Sequence, residues 1–382
     1  MRLLNVKTLE FEDFLGDRTP DYVILSHRWG EDEISFKDFR KRQHPETHGY
    51  KKVLEFCSFA KARGREWVWI DTCCIDKRSS AEVSEAVNSM FAWYKQSREC
   101  FALLSDVPSL GHDRERILEY MRQSQWFSRG WTLQELLSPP YVTFLSRHWE
   151  IIGDRLALAD MIHNITGIPK QTLVDNGTLS SHSVAQRISW AARRETTRPE
   201  DIAYCLLGLL NVNMPLLYGE GAGKAFQRLQ LQIIATSNDE SIFAWSAHHR
   251  TAVSGPAIKK TTILAKSPAA FLEAGNVTRI PLLDANYIHR PHHAMTNKGL
   301  LYQGSAQRIV FDRSGHRMPS FYIIHLNCSG PGCAHWPIIV NQIFPDQTIY
   351  IRSHVDWSSE KITTEYPPHL REDVELGSVY II

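Results

Sequence analysis

Residues 22–30 read Tyr22-Val23-Ile24-Leu25-Ser26-His27-Arg28-Trp29-Gly30, an apolar run of the β type that stops abruptly at polar, aromatic and small residues. The same pattern occurs in Val68-Trp69-Ile70-Asp71-Thr72-Cys73-Cys74-Ile75-Asp76. Short continuous apolar runs predict buried strands. In open α/β sheets, ligand sites form where such strands end. We therefore expect the polar ends of both stretches to share one edge of a sheet.

Strands and helices alternate through residues 1–150, which predicts an α/β domain with a parallel sheet covered on both faces. Between the strands lie helical patterns, one of which starts at Ser79 with Glu82 three residues later, as in a capping box. The predicted strands are Tyr22–Ser26, Trp67–Ile70, Cys100–Leu104 and Tyr141–Leu145.

The remainder of the chain shows two further sequence patterns. Residues 151–240 show helical periodicity, which predicts a helical extension of the first domain. Residues 241–382 contain short β-type runs separated by Gly, Pro and Asn, which predict a small, mainly antiparallel β domain at the C-terminal end. The expected organisation is therefore 1–150, 151–240 and 241–382.

Composition excludes several classes of function. The 382 residues carry 43 basic and 42 acidic side chains, a formal charge of +1, with no strongly basic stretch, so we expect no nucleic-acid partner. No apolar run is long enough for a membrane span. Seven cysteines without regular spacing indicate reduced thiols, and hence a cytoplasmic protein.

A third patch, Arg129-Gly130-Trp131-Thr132-Leu133-Gln134-Glu135-Leu136, completes a family pattern. With the first two patches it resembles the heterokaryon incompatibility (HET) domain of fungal cell-death and non-self-recognition proteins. Further matching motifs extend the resemblance over roughly residues 20–240: Ser84–Phe91, Asp201–Gly208 and Met214–Gly221. The resemblance implies an effector that triggers programmed cell death in allorecognition, downstream of a receptor protein.

HET domains in turn resemble TIR domains, which implies a flavodoxin-like sheet. Ser26–Asp32 is similar to the end of the first TIR strand, and Trp131 with Glu135 is similar to the helix that carries the catalytic glutamate of NAD-cleaving TIR enzymes. Gly130 and Thr132 stand where those enzymes usually have Ser and Cys. The resemblance implies NADase activity with NAD as substrate, no resident cofactor, and activity that depends on self-association.

Cleavage of the nicotinamide–ribose bond of NAD needs no general acid, because the leaving group already carries positive charge. It needs a group that stabilises an oxocarbenium-like ribose, which one carboxylate can do. We therefore predict that Glu135 is catalytic and that Trp131 or Trp29 stacks on a ring. Trp131 and Glu135 are one helical turn apart and should share a face. A structural glutamate that caps or pairs with a neighbouring loop is the alternative.

The predicted substrate contacts come from the three patches. Arg28 and Arg129 could clamp the pyrophosphate, since guanidinium groups match phosphate oxygens, or form salt bridges. Asp71 and Asp76 could bind substrate or cap turns. The whole predicted binding set is Ser26, His27, Arg28, Trp29, Gly30, Asp71, Cys73, Asp76, Arg129 and Trp131.

Two rival functions stay open at this point. A non-enzymatic signalling scaffold would act through protein contacts alone. A thiol hydrolase would use Cys73 or Cys74 with His27 as base, which requires hydrogen-bond proximity. We expect no metal site, because the His and Cys residues at 325, 328, 333 and 335 fit no standard ligand spacing.

Overall fold

A computed structural model describes residues 1–109, 113–246, 259–280, 293–309, 321–326, 328–330, 336–342, 349–354 and 371–381. The strands are β1 Arg2–Asn5, β2 Phe11–Asp13, β3 Tyr22–His27, β4 Trp67–Ile70, β5 Glu99–Leu103, β6 Val142–Leu145, β7 Ile151–Asp154, β8 Lys259–Thr261, β9 Thr278–Arg279, β10 Ala294–Thr296, β11 Gly299–Ile309, β12 Phe321–Leu326, β13 Cys328–Ser329, β14 Trp336–Gln342, β15 Ile349–His354 and β16 Arg371–Ile381.

The α-helices are α1 Phe36–Arg40, α2 His48–Ala62, α3 Asp71–Cys74, α4 Ser80–Gln96, α5 Arg114–Gln123, α6 Thr132–Leu137, α7 Ala159–Thr166, α8 Lys170–Val174, α9 Val184–Ser189, α10 Asp201–Tyr204, α11 Leu207–Leu210 and α12 Ala222–Thr236. Short 3₁₀ helices occur at Gly16–Arg18, Gln125–Ser128, Asn176–Ser181, Glu240–Phe243 and Pro268–Asn276. None of these helices, within the ranges given above, is long and apolar enough to cross a membrane.

The chain divides into two compact units. The first, here called the α/β unit, comprises Met1–Leu179 and Arg194–Tyr218, and the second comprises Ser180–Arg193 and Gly219–Ile382. The predicted helical segment 151–240 therefore contributes to both units. The three-part division made from sequence stays a prediction.

The α/β unit is built on a seven-stranded sheet with the order β2-β1-β4-β3-β5-β6-β7. The four central strands, β4, β3, β5 and β6, are parallel, and the flanking pairs are antiparallel. The predicted α/β class with a mostly parallel sheet is confirmed. Numbered among themselves, the parallel strands have the order 2-1-3-4, which is the order of flavodoxin-like sheets.

Local sequence explains how the central strands are connected. All six residues of β3 are buried, as expected for a strand covered on both faces. Helix α2 ends before Gly64, whose φ of 70° is left-handed. Helix α4 begins where the Ser79 hydroxyl accepts the Glu82 N–H. The predicted capping box is half formed, because the Glu82 carboxylate instead accepts the Asp76 N–H at 2.7 Å.

The second unit contains α9, α12 and a largely antiparallel sheet. The sheet runs β10-β11-β12-β14-β15-β16, with β8 on β15 and a further pairing of β11 with β16. The amide of Gln230 on α12 exchanges two 2.8 Å hydrogen bonds with the backbone of Ala265. The β-type runs predicted from sequence coincide with β11, β12, β14, β15 and β16, although Ile343, Thr348 and Ile382 lie outside the described residues.

Candidate functional site

The predicted catalytic carboxyl lies at the carboxyl edge of the parallel sheet. The chain leaves β3 for β4 on one side and returns to β5 on the other, so β3 marks a topological switch point, where α/β sheets bind ligands. At the end of β3, the Ser26 hydroxyl donates to the Glu135 carboxyl on α6. The Trp126 indole N–H donates to the same hydroxyl at 2.9 Å.

Glu135 is a buried acid with a raised pKa. Its residue exposure is 6%, and burial raises the pKa of its carboxyl to about 7. The positive charge of Arg129 and the hydrogen bond from Ser26 act in the opposite direction. Glu135 is therefore partly ionised near neutral pH. The same burial separates it from the open pocket described next.

A pocket of about 260 Å³ lies where the chain leaves β3, at Arg28 and Trp29. It is small compared with the roughly 300–1,000 Å³ typical of sites for drug-sized ligands, so it suits part of a dinucleotide. Its residues offer guanidinium, indole, amide, hydroxyl and carboxylate groups. They are Arg28, Trp29, Gln125, Ser128, Arg129, Glu195, Thr196 and Thr197, and Glu135 is not among them.

Two arginines face this pocket from different elements. Arg129 donates from Nη1 to the carbonyl of His27 at 2.8 Å, which fixes its position beside the end of β3. Arg28 follows the same strand and donates to the side-chain carbonyl of Gln125. Two guanidinium groups at one pocket favour an anionic ligand such as a phosphate or pyrophosphate. Arg129 acts on Glu135 through its positive charge, which lowers the pKa of that carboxyl, whereas its hydrogen bond goes to the His27 carbonyl.

Trp29 presents an exposed aromatic surface at the same pocket. Its residue exposure is 42%. The indole N–H donates to Asp71 at 2.7 Å, and the ring lies 3.6 Å from Lys77 Nζ and 5.1 Å from the Arg129 guanidinium carbon. Such cation–π contacts hold the ring in place. Asp71, predicted to bind substrate, thus orients the residue that is open to a ligand.

A buried charge cluster is connected to Trp29 through Asp71, whose carboxylate lies 3.9 Å from His27 Nδ1. His27 is 3% exposed, and its Nε2 lies 3.5 Å from Glu33. Glu33 also accepts the Gly30 N–H at 2.7 Å and pairs with Lys52 at 2.5 Å. Burial and the charge of Lys52 lower the pKa of His27, so the imidazole is neutral. At this site His27 contributes its backbone carbonyl, which accepts from Arg129, and Gly30 contributes its backbone N–H, which donates to Glu33.

Three residues of the predicted set have other partners. Asp76 binds Arg78 through two side-chain hydrogen bonds of 2.8 and 2.6 Å, which lower its pKa to about 2. Asp76 Oδ1 also accepts the Arg78 N–H at 3.1 Å, which is the turn-capping role that the sequence left open. Trp131 donates its indole N–H to Asp201 at 3.0 Å. Cys73 is fully buried, and burial raises the pKa of its thiol well above the ordinary value, so it is no thiolate.

Several residues of the site were missed from sequence. Trp126 and Gln125 immediately precede the third patch, so their neighbourhood was a usable signal. Residues 195–197 are more than 60 positions from Arg129, and no local pattern announces them. The Gly130 N–H donates to the Glu195 carbonyl at 2.8 Å, and the Glu195 N–H donates to the Ser128 carbonyl at 2.7 Å. These bonds bring segment 195–197 against the third patch.

Glycine at position 130 has a steric reason. A Cβ at this position would lie 2.5 Å from Thr196 Cγ2 and 3.1 Å from Cys205 Sγ. We predict that Gly130→Ala lowers the free energy of unfolding of the α/β unit by about 2 kcal/mol, the usual cost of overpacking. Gly30→Ala is the matched control, because its Cβ would meet only Glu33 Oε1 at 3.8 Å. Equal effects of the two changes in denaturant unfolding would contradict the close approach.

No cluster of three or more His, Cys, Asp or Glu side chains suited to a metal ion occurs where the structure describes the chain. The group considered from sequence is only partly covered, since Cys333 and His335 lie outside the described residues.

Comparison with known proteins shows a likeness that covers part of this site. The family model described as Heterokaryon incompatibility protein (HET) matches residues 22–112. This stretch of the chain is similar to the HET domain. The match covers the ends of β3 and β4, whereas Arg129 and Glu135 lie beyond it.

A curated relative extends the likeness past the HET-domain match. The chain is 44% identical over 228 residues to the Vegetative incompatibility protein HET-E-1 of Podospora anserina, which is 58% of this chain and 17% of the relative. The chain thus spans about one sixth of the length of that protein. No solved structure matches the chain.

Proposed function

We propose that this chain acts in fungal heterokaryon incompatibility as a cell-death effector whose HET domain cleaves NAD. The HET-family match and the likeness to a vegetative incompatibility protein support the biological role. A cytoplasmic site of action, self-association and an upstream receptor protein belong to the same proposal. Because the chain spans only part of the relative, the partners are proposals as well.

A TIR-like fold is part of this proposal. The 2-1-3-4 order of the parallel strands is the flavodoxin-like order that TIR domains use. Placement of Ser26 at the end of β3 and of Glu135 on α6 beside it agrees with the similarity quoted from sequence.

The observation that carries the proposal is the buried Glu135, with a pKa of about 7, at a switch point beside an arginine- and tryptophan-lined pocket. Arg28 and Arg129 would hold the pyrophosphate, and Trp29 would stack on a ring. The C1′–nitrogen bond breaks, nicotinamide leaves with the bonding electron pair, and water adds to C1′. The products are nicotinamide, ADP-ribose and one proton. Ionised Glu135 stabilises the cationic ribose between these events.

The burial of Glu135 sets a condition on this mechanism. The ribose reaches the carboxyl only if the Ser26–Glu135 hydrogen bond opens toward the pocket, since Glu135 does not line it. We propose that the described arrangement is a resting state and that self-association opens it. NAD cleavage should therefore increase more steeply than linearly with protein concentration.

The direct test is nicotinamide release from NAD by the purified protein. Glu135→Gln should lower the rate at least 100-fold, by loss of about 3 kcal/mol of transition-state stabilisation. Glu99→Gln is the matched control, since Glu99 lies at the opposite edge of the sheet and bonds to Thr143. Cys73→Ser should retain activity, because the thiol is buried and protonated. Equal rates for wild type and Glu135→Gln would contradict the proposal.

A non-enzymatic scaffold is the second candidate, favoured by the same burial of Glu135. In that case the carboxyl only secures α6 to β3 through Ser26. Absence of NAD cleavage at every protein concentration, with cell killing unaffected by Glu135→Gln, is the result expected for the scaffold.

A further inference from the structure

The helix that carries Glu135 is short and is held at both ends by buried arginines. All six residues of α6 are buried, and a helix of this length has little stability of its own. Arg194 lies near its start and Arg155 near its end, with exposures of 6% and 5%. The two residues are thus of the same type and similarly buried, and each lies near one end of α6, which allows their roles to be compared.

Arg194 bonds to the turn that connects the pocket to α6. Its Nη1 donates to the Arg129 carbonyl at 2.8 Å and to the Thr132 hydroxyl at 3.0 Å. The Thr132 hydroxyl in turn lies 2.5 Å from the Trp126 carbonyl. One guanidinium therefore joins the backbone of Arg129, which lines the pocket, to the first residue of α6.

The residues that follow Arg194 extend this connection into the pocket wall. Glu195, Thr196 and Thr197 all line the pocket. Their segment is fixed to the turn by the two backbone bonds between Glu195 and the residues Ser128 and Gly130. Hydrogen bonds therefore connect this wall to the turn that precedes α6.

Arg155 has no such connection to the pocket. It donates to the carbonyl of Leu136 in the last turn of α6 at 2.6 Å, and to those of Pro139 at 3.0 Å and Pro140 at 3.1 Å just after the helix. A cation at a helix C-terminus stabilises the helix. Its role is to hold the end of α6 in place.

We infer that Arg194 is a positioning residue that couples the nucleotide pocket to Glu135, and this inference rests on the proposed function. Ligand held by Arg129 and the 195–197 wall acts on α6 through the Arg194 guanidinium. This guanidinium donates to the hydroxyl of Thr132, a residue at which the chain departs from the TIR pattern.

The test compares Arg194→Met with Arg155→Met in the full chain, using ADP-ribose as the probe. Arg194→Met should weaken ADP-ribose binding in calorimetry about tenfold or more, since it releases the backbone of Arg129. Arg155→Met should change affinity by less than about twofold, even where it lowers stability equally. Arg194→Lys keeps the charge without the planar fork and should give an intermediate affinity. It also serves if the Met variant fails to fold.

A second readout is independent of any ligand. Amide hydrogen exchange over residues 129–135 should become at least about tenfold faster in Arg194→Met and Arg194→Lys, whereas Arg155→Met should accelerate exchange mainly at 136–141. Unchanged exchange at 129–135, or equal losses of affinity for the two arginines, would overturn the inference. If wild type binds no ADP-ribose, the proposed function is contradicted, and hydrogen exchange alone decides the role of Arg194.

Discussion

Replacement of Glu135 by Gln is expected to raise the free energy of unfolding of the α/β unit by about 3 kcal/mol at pH 8. Burial raises the pKa of this carboxyl from 4.5 to about 7, so the folded protein holds a proton that the unfolded chain has released. The stability that this proton supplies is complete below pH 4.5 and is lost as the pH rises through 7. Gln keeps a carbonyl for the Ser26 hydroxyl and carries no charge.

Denaturant unfolding of both proteins between pH 4.5 and 8.5 measures this effect. The two stabilities should coincide near pH 4.5 and separate toward pH 8, with other titrating groups cancelling in the difference. Glu99→Gln should show no such separation. A variant that is less stable than wild type at pH 8 would assign Glu135 a structural role instead. A gain in stability on removal of a functional group is the trade-off that strained sites show.

Replacement of Arg129 by Met is expected to weaken ADP-ribose binding by roughly 10- to 100-fold, because a charge-assisted hydrogen bond to phosphate contributes about 1.5–3 kcal/mol. Arg129 is the pocket guanidinium that also anchors to the His27 carbonyl and lies over Trp29. Isothermal calorimetry gives the affinity directly. Arg122→Met, at an exposed arginine paired with Glu119 on α5, is the matched control and should leave the affinity unchanged.

The same substitution should also shift the titration of Glu135. Arg129 lowers the pKa of that carboxyl, so Arg129→Met should raise it further, and the pH at which NAD cleavage becomes half-maximal should rise with it. An Arg129→Met protein with unchanged affinity for ADP-ribose would show that the pocket does not hold the pyrophosphate.

The central strands could be predicted from sequence because burial on both faces requires continuous apolar runs. The flanking strands could not. Strands β1, β2 and β7 are three or four residues long, and β2 and β7 contain half-exposed or exposed residues throughout. Their pairing depends on the neighbouring strand more than on their own residues, so they carry no periodic signal.

The candidate site was predictable where it follows directly from strand ends. Ser26 lies near the end of β3, Arg28 and Trp29 follow that strand, and Asp71 follows β4. The structure brings them to one edge. The depth at which each side chain is buried could not be predicted from sequence. Glu135 bonds to Ser26 and does not line the pocket.

Helical spacing alone also failed to specify partners at the site. Trp131 and Glu135 are four residues apart, yet Trp131 bonds to Asp201 while Glu135 bonds to Ser26. Asp201 is buried and receives a second hydrogen bond from Tyr218 at 3.0 Å. Contacts between residues so distant in sequence are set by packing of the whole α/β unit.

A carbon-13 NMR titration of the Glu135 carboxyl, assigned with Glu135→Gln, would show whether this group is a buried acid coupled to the pocket. In the free protein we expect a pKa near 7, and saturating ADP-ribose should clearly displace both the chemical shift and the pKa. An ordinary pKa near 4.5, insensitive to ADP-ribose, would contradict both expectations.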